Sequence, residues 1–306
     1  MKRLSLAYLA IIVTTILWAS SLIFAKIVFV EVGPIVFVAL RYTIALPFLL
    51  VLTLQHRKKQ TLADVRNNWK ILLVVGLSGP FLSQILQYVG LELTTASDAL
   101  FLLNFTPIFA VIIAAPVLNE RITIGKIAGL ILATIGAILI VMNTAPDYAT
   151  FDFWRFIGDL IIIASTLFFA INGIAGKVAV KSIDAISTTF YSALIGVPFI
   201  WISAALLDDV TVLLTMSLQA WLIVMWVAIV NTVIGFVLYY ESMKHIEASL
   251  VQIVLNLIAV WGVLMSIFIL QETVTLLQIL GGAVTVIGVV IAQMAQKRRE
   301  SNVELL

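Results

Sequence analysis

Long apolar runs alternate with short polar segments along the whole chain of 306 residues. Each run is close to the roughly 20 residues that a helix needs to cross a bilayer. Within the runs, residues do not alternate between apolar and polar as in a membrane barrel, so the pattern predicts helices. Ten runs are present, at 6–29, 34–54, 70–91, 96–118, 123–143, 156–178, 185–207, 218–240, 248–270 and 274–295. The pattern therefore predicts an all-α integral membrane protein with ten transmembrane helices.

The second half of the chain repeats the first. Residues 86–136, moved forward by 152 positions, fall on 238–288 without a gap, and residues 19–26 moved by 151 fall on 170–177. The matched pairs include Tyr88 with Tyr240, Ala96 with Ala248, Ser97 with Ser249, Asn104 with Asn256, Glu120 with Glu272, Gly136 with Gly288 and Lys26 with Lys177. Because each copy has five spans, the two copies cross the membrane in opposite directions, an arrangement common in transporters with alternating access.

The repeat and the charges predict how the chain is divided and oriented. We predict a first five-helix repeat at 1–143, an outer linker at 144–155, a second, inverted repeat at 156–295 and a tail at 296–306. The formal net charge is only +2, but all 18 basic residues except Lys26, Arg41 and Arg155 fall on one side of the predicted spans. The positive-inside rule makes that side cytoplasmic and places both termini there.

Composition argues against catalysis and metal binding. The chain has no cysteine and two histidines, His56 and His245, both at the edges of predicted spans. The sequence contains no HExxH or G-x-S-x-G segment and no paired carboxylates within a span. We therefore expect no enzymatic activity, no cofactor and no metal. The basic run 56–59 suits a topology anchor better than a nucleic-acid patch, so no nucleic-acid partner is expected.

Polar and aromatic side chains deep within the predicted spans are candidates for a substrate site. A polar residue in the hydrocarbon layer is costly and usually faces the interior of the bundle. Asparagines there can instead bridge helices, and tyrosines can belong to the interfacial belt, so both alternatives stay open. The candidate substrate-binding residues are Trp18, Ser21, Gln84, Tyr88, Asn104, Asn172, Asn231, Tyr239, Tyr240, Asn256 and Trp261. Such a set suits a cavity that hydrogen-bonds a polar head and packs rings against an apolar tail.

Three basic residues in predicted spans are candidates for a gate or for charge recognition: Lys26, Arg41 and Lys177. The two lysines lie near span ends, where each can extend to its own interface or attract a substrate carboxylate or phosphate. Arg41 lies about two turns inside the second span and has no basic match in the other copy. Pairing with Glu31, or with a backbone carbonyl, is the alternative to a role in recognition.

No acidic residue lies in the middle of a predicted span. Glu120 and Glu272 repeat at tight turns that open the next helix, where a carboxylate suits the helix dipole, so we interpret them as structural rather than as coupling residues. Four more acids lie at span edges: Glu92, Asp98, Glu241 and Glu247. We therefore expect facilitated diffusion or exchange, or proton coupling through a peripheral carboxylate.

Glycine and proline mark particular spans. Gly125 and Gly129 give span five the small-residue spacing that lets helices approach closely, and Gly281, Gly282 and Gly288 place small residues in span ten, so these spans are predicted to pack within one chain or between two. Pro107 predicts a kink in span four. Ala259 replaces that proline in span nine, so a kink is less expected there.

These features resemble the EamA-type, ten-span members of the drug/metabolite transporter superfamily. The resemblance covers nearly the whole chain and rests on Trp18-Ala19-Ser20-Ser21 with Lys26, Asn104-Phe105-Thr106-Pro107, Leu118-Asn119-Glu120-Arg121 and Leu270-Gln271-Glu272-Thr273. It implies a basket-like bundle around a central cavity, with spans five and ten at the periphery. It also implies a multi-pass protein of a prokaryotic plasma (inner) membrane.

The family resemblance favours alternating-access export of small metabolites such as amino acids or related amphipathic compounds. The alternative is uptake or exchange of a phosphorylated or sugar-linked metabolite. That alternative predicts several convergent lysine and arginine side chains in the cavity, and the sequence offers few. The expected partners are a small-molecule substrate and the lipid bilayer, with the chain as a monomer or a homodimer.

Overall fold

The computed structural model describes residues 2–56, 62–94, 99, 102–120, 122–142, 153–265 and 276–304, and their regular structure is helical. We number the main helices α1 to α10. They are α1 Lys2–Val28, α2 Pro34–His56, α3 Trp69–Leu93, α4 Thr106–Leu118, α5 Ile124–Met142, α6 Phe153–Ala179, α7 Ala185–Leu207, α8 Leu218–Met243, α9 as the two segments Ala248–Val254 and Leu257–Met265, and α10 Leu276–Glu304. A short helix, Leu62–Asn67, precedes α3, and a 3₁₀ helix, Val210–Leu214, precedes α8.

The helices match the predicted spans. Helices α1, α2, α3, α6, α7 and α8 are each long and apolar enough to cross a membrane. Helices α4, α5, α9 and α10 contain shorter apolar stretches within the part of the chain that the structure describes. The predicted ten-helix membrane fold is confirmed. Parts of the predicted spans 96–118, 248–270 and 274–295, and most of the predicted linker 144–155, lie outside the described residues.

Contacts between loops show that the two halves are inverted. The Glu31 carboxylate, between α1 and α2, accepts hydrogen bonds from Ser217 N and Oγ at the start of α8, both at 2.8 Å. The Asp208 carboxylate, just after α7, accepts hydrogen bonds from the N–H groups of Ile35 and Val36 at the start of α2, both at 3.1 Å. The C-terminal ends of α1 and α7 therefore lie on the same face. Because α6 runs opposite to α7, the first helices of the two halves, α1 and α6, run in opposite directions.

The opposite side of the bundle is closed by the α4–α5 and α8–α9 loops. Glu120, after α4, accepts a hydrogen bond of 2.7 Å from the N–H group of Ala248 at the start of α9. We call this side the Glu120 face, and the side with the α1–α2 and α7–α8 loops the Glu31 face. The predicted orientation would make the Glu120 face cytoplasmic, and it stays a prediction.

Two matched helices, α3 and α8, widen into π-helical turns. The segments are Leu77–Ser83 in α3 and Val227–Gly235 in α8. Moved by the repeat offset of 152, the first segment falls on 229–235, within the second. Pro80 accounts for the first, because proline cannot donate the backbone hydrogen bond of a regular α-helix. The second contains no proline, so the distortion belongs to the fold of both halves; such turns often mark functional sites.

Helices α4 and α9 are interrupted at matched positions. Residues Asn104 and Phe105 form a turn just before α4, and Leu255 and Asn256 form the turn that divides α9. The sequence made a kink less expected in span nine, because Ala259 replaces the matching proline, and the helix nevertheless breaks at Leu255 and Asn256 without one. Asn256 N donates instead to Ile253 O at 3.2 Å, the tighter spacing of a 3₁₀ turn.

The glycine-rich helices α5 and α10 pack against each other within the chain. A Cβ atom placed on Gly129 would lie 2.6 Å from the carbonyl oxygen of Gly288, closer than real Cβ atoms approach. A Cβ on Gly125 would lie 2.6 Å from that of Ala295. The sequence left open whether these glycines pack within one chain or between two, and in the structure they pack within one chain. The small residues let the two backbones touch, as in other membrane helix pairs.

Candidate functional site

A central cavity lies between the two halves. Its empty space, with the open solvent at its mouth included, is about 780 Å³. Its walls come from α1, α2, α3, α6, α8, α9 and the turn into α4. The lining residues are Trp18, Ser21, Leu22, Arg41, Ser83, Gln84, Gln87, Tyr88, Leu103, Asn104, Thr106, Pro107, Ser165, Phe169, Phe236, Gln252, Leu255, Asn256, Ile258 and Ala259. The cavity therefore combines an apolar wall with several amide and hydroxyl groups.

Half of the residues singled out from the sequence meet in this cavity. They are Trp18, Ser21, Arg41, Gln84, Tyr88, Asn104 and Asn256. They come from α1, α2, α3, the turn into α4 and the break in α9, so the fold brings together residues far apart in the chain. The paired asparagines, Asn104 and Asn256, enter at the matched helix interruptions described above. Their role in binding stays a prediction.

Arg41 reaches the cavity from the interior of α2 and is only 3% exposed. Its Nε donates to Thr232 Oγ1 at 2.6 Å, and its Nη1 donates to Gln84 Oε1 at 2.8 Å and Tyr88 Oη at 2.9 Å. The predicted alternative, pairing with Glu31, does not occur, since Glu31 binds Ser217. A charged side chain at the centre of a membrane helix costs roughly 2.5–3.5 kcal/mol on insertion scales. Three neutral partners reduce that cost without neutralising the charge.

The repeat produces matched hydrogen bonds between its halves. Ser21 and Tyr88 are joined by a hydroxyl–hydroxyl bond of 2.8 Å. At the equivalent place in the second half, Tyr240 Oη donates to Asn172 Oδ1 at 3.1 Å. Both tyrosines are at most 1% exposed. They are internal ties between α1 and α3 and between α6 and α8, not members of an interfacial belt.

Four further predicted residues hold helices together outside the cavity lining. Asn172 Nδ2 donates to Val75 O at 2.9 Å, and Asn231 Nδ2 donates to Leu17 O at 2.6 Å. The Tyr239 hydroxyl accepts a bond of 2.7 Å from Gln252 Nε2. The Trp261 indole donates to a threonine of α1 at 2.9 Å. Asn172 and Asn231 thus have the helix-bridging role that the sequence left as the alternative for asparagines, and Tyr239, Tyr240 and Trp261 join helices as well.

Lys26 and Lys177 bind helix ends in equivalent ways. Lys26 Nζ donates to the carbonyl oxygens of Leu91 and Thr94, at 2.7 and 3.2 Å, at the end of α3. Lys177 Nζ donates to those of Met243 and Ile246 at the end of α8. Both acceptors of Lys177 lie 152 residues after those of Lys26. A cation at a helix C-terminus is stabilised by the helix dipole, so these lysines tie α1 to α3 and α6 to α8, away from the cavity lining.

Several lining residues were missed by the sequence reasoning. They are Ser83, Gln87, Thr106, Ser165, Phe169, Phe236 and Gln252. Gln252 lies four positions before Asn256, and Gln84 lies four before Tyr88, so an i, i+4 pattern of polar residues was the available signal. The Oε1 of Gln252 and the Nδ2 of Asn256 are buried and have no hydrogen-bond partner among the described residues.

Aromatic rings form the apolar wall around Trp18. Its ring centroid lies 4.9 Å from Phe236, 5.3 Å from Tyr239 and 5.7 Å from Phe169. The Trp18 indole donates to the carbonyl oxygen of Asn231 at 3.0 Å, which fixes the ring. Rings at these separations attract one another through offset or edge-to-face packing. Ring packing and this hydrogen bond therefore hold the wall together.

Two loop carboxylates on the Glu31 face have lowered pKa values. Hydrogen bonds from the N–H and hydroxyl of Ser217 lower the pKa of Glu31, and those from the hydroxyl and N–H of Thr211 lower the pKa of Asp209. In their charged form, the Glu31 and Asp209 carboxylates accept hydrogen bonds at the start of a helix and stabilise it.

On the Glu120 face, buried Lys126 contacts Glu120 at 3.5 Å and Glu247 at 2.5 Å. Glu272, the repeat partner of Glu120, lies outside the described residues, where Asp98, Ala96 and Ser97 also fall.

Metal binding finds no support in the described part of the chain. No group of three or more histidine, aspartate or glutamate side chains there is arranged to hold a metal ion.

Comparison with known proteins identifies the family. The sequence model of the EamA-like transporter family matches residues 5–142 and again 156–294. The chain belongs to the EamA-like transporter family. The two matches correspond to the two inverted halves of the bundle. Membership makes the chain a multi-pass membrane transporter of a small molecule, consistent with the drug/metabolite transporter superfamily.

Relatives of this EamA-like transporter come from archaea and bacteria. An uncharacterized transporter of Archaeoglobus fulgidus is 24% identical, over 95% of this chain and 99% of its own. One from Methanothermobacter thermautotrophicus is 25% identical, over 95% of this chain and 87% of its own. A crystal structure matches with a TM-score of 0.78 at 19% identity, covering 95% of this chain and 98% of the other. That likeness shows the fold, and none of these names states a substrate.

Proposed function

We propose that this EamA-like transporter exports small metabolites, amino acids or related amphipathic compounds, by alternating access across a prokaryotic plasma membrane. The observation that carries the proposal is the central cavity between inverted halves. It joins hydrogen-bonding groups such as Gln84, Asn256 and Gln252 to an aromatic wall around Trp18. An amphipathic molecule satisfies both, because its polar head replaces water on the amides and its apolar part packs on the rings.

The alternative substrate, a phosphorylated or sugar-linked metabolite, has less support. A dianionic phosphate is commonly held by several converging lysine and arginine side chains. Arg41 is the single basic residue in the cavity lining within the described chain. Lys26 and Lys177 are occupied by carbonyl groups at helix ends.

For energy coupling, we propose facilitated diffusion or exchange, or proton coupling through a carboxylate at the periphery. The described cavity lining contains no aspartate or glutamate. Uptake into proteoliposomes with and without an imposed pH gradient tests this. Steep proton-driven accumulation that survives joint neutralisation of Glu92, Asp98, Glu241 and Glu247 would contradict the peripheral version.

The test of substrate class is counterflow in proteoliposomes containing the purified chain. Vesicles loaded with one unlabelled amino acid should transiently accumulate the same labelled compound, for at least one amino acid, with saturation. Ser165→Phe, which narrows the cavity from α6, should reduce this signal, whereas Leu167→Phe on the exposed side of α6 should not. Counterflow of phosphorylated or sugar-linked compounds with none of any amino acid would favour the alternative. Release of the same amino acid from preloaded cells then tests the direction.

A further inference from the structure

The charge in the central cavity specifies part of the substrate. Arginine stays charged in proteins, and no carboxylate among the described residues lies within ion-pair distance of Arg41. Its hydrogen-bond partners are neutral: Thr232, Gln84 and Tyr88. Those bonds use Nε and Nη1, while Nη2 has no partner among the described residues. Among the described residues, the guanidinium therefore has one donor group, Nη2, without a partner, and no carboxylate balances its positive charge.

The rest of the lining makes this charge selective. The described lining contains Arg41 as its only charged residue. A cationic ligand would meet repulsion there with no compensating anion, and a neutral ligand would leave the charge unbalanced. A carboxylate supplies the missing charge and accepts hydrogen bonds from the planar guanidinium, a match that arginine makes well. One arginine balances one negative charge, which favours a carboxylate over a doubly charged phosphate.

The aromatic wall extends from this charge across the cavity. The Arg41 guanidinium carbon lies 5.5 Å from the centroid of Tyr42, which lies 6.4 Å from that of Phe236. Phe236 in turn lies 4.9 Å from Trp18. Gln252 belongs to the same cluster, because its Nε2 donates to the Tyr239 hydroxyl, and its Oε1 has no partner among the described residues. Arg41, Phe236, Trp18 and Gln252 thus line one cavity, and buried Tyr42 and Tyr239, which do not line it, pack between them.

We propose that Arg41 binds the carboxylate of the substrate, and that the transporter selects organic monoanions or amino acids that carry an apolar or aromatic body. This inference rests on the proposed function and names the substrate class of the same cavity. It excludes amines without a carboxylate as preferred substrates.

A series of ligands with one skeleton tests the head group. Calorimetric titration of the purified full chain in lipid nanodiscs uses 3-phenylpropanoate, its amide and 3-phenylpropylamine. A charge-assisted hydrogen bond predicts that the carboxylate binds roughly 10-fold or more tightly than the amide, and the amine weakest. Equal binding of carboxylate and amide, preference for the amine, or binding of none of the three would overturn the inference. Counterflow of amino acids is scored separately, so the proposed transport can stand when the inference fails.

Variants of Arg41 and of its hydrogen-bond partner Gln84 distinguish a loss of ligand recognition from a loss of folding. Arg41→Gln should remove the preference for the carboxylate over the amide, and Arg41→Lys should retain part of it. Gln84→Glu places a carboxylate where Arg41 Nη1 now finds Gln84 Oε1, so it supplies an internal counter-ion. It should raise the melting temperature while lowering 3-phenylpropanoate affinity roughly 10-fold or more. The matched control Gln219→Glu makes the same change on the exposed start of α8 and should alter neither. Unchanged affinity in Gln84→Glu would overturn the inference.

Discussion

Removing the Glu120 carboxylate should destabilise the transporter, because this group joins the two halves. It accepts hydrogen bonds from the N–H groups of Ala248 at 2.7 Å and Ser249 at 3.3 Å, and contacts Lys126 at 3.5 Å. Loss of a helix cap costs about 1 kcal/mol. The Lys126 side chain is 4% exposed but retains Glu247 at 2.5 Å, so losing one of two anions adds about 1–2 kcal/mol rather than the full cost of an unpaired charge. Glu120→Ala should therefore lower the free energy of unfolding by about 2–3 kcal/mol.

Equilibrium unfolding of the purified protein in mixed micelles measures this change. Glu120→Gln should fall between wild type and Glu120→Ala, since it keeps an acceptor oxygen and loses the charge. The matched control is Glu241→Gln, because Glu241 also pairs with a lysine at 2.5 Å but is 48% exposed. Such a surface pair contributes about 0–1 kcal/mol. Counterflow per folded molecule is recorded on the same samples. If Glu120→Gln keeps wild-type stability but loses counterflow, the residue couples transport and the structural interpretation is refuted.

Three further predictions concern other contacts of the fold. Lys26→Met and Lys177→Met should each lower the free energy of unfolding by about 1–3 kcal/mol. The two losses should be similar, because the two lysines contact equivalent helix ends, and very unequal losses would contradict that equivalence. Gly129→Leu should destabilise by about 1–3 kcal/mol or more by forcing α5 from α10, and a wild-type melting curve would argue against that packing. Because bonds from Ser217 lower the pKa of Glu31, its contribution is present above the unfolded pKa and lost as pH falls through the folded one. The stability difference between wild type and Glu31→Gln should thus persist at mildly acidic pH and shrink only in strong acid; a loss near neutral pH would contradict it.

The fold could be predicted from the sequence because it depends on local apolar runs and on a repeat that is visible in the chain. Apolar runs of bilayer length predict the spans, and the register of the repeat predicts the inversion. The loop contacts of Glu31 and Asp208 bear out that inversion. The break in α9 at Leu255 and Asn256 was not foreseen, because a kink was predicted from proline and Ala259 replaces the matching proline there. The π-helical turn of α8 lacks a proline as well, so proline does not explain either distortion.

The candidate site was only partly accessible. Hydropathy gives the depth of a residue in a span, but not the direction in which its side chain points. Asn172 and Asn256 are equally deep by sequence, yet the first bridges α6 to α3 and the second faces the cavity. The sequence left open whether Lys26 and Lys177 extend to their own interfaces or attract a substrate anion, and it could not indicate the carbonyl groups that they contact. The rotation of each helix depends on its packing partners, which one sequence does not reveal.

Alternating access to the cavity is the central claim, and the absence of native cysteine allows a direct measurement. Ser83 lines the cavity, is 1% exposed, and its hydroxyl has no partner among the described residues, so Ser83→Cys is a mild change. In oriented vesicles, a membrane-impermeant thiol reagent should label this cysteine from either side, and a transported substrate should slow labelling. Ser217→Cys, exposed on the Glu31 face, should react from one side only. Labelling of Ser83→Cys from one side alone, even during counterflow, would contradict the account.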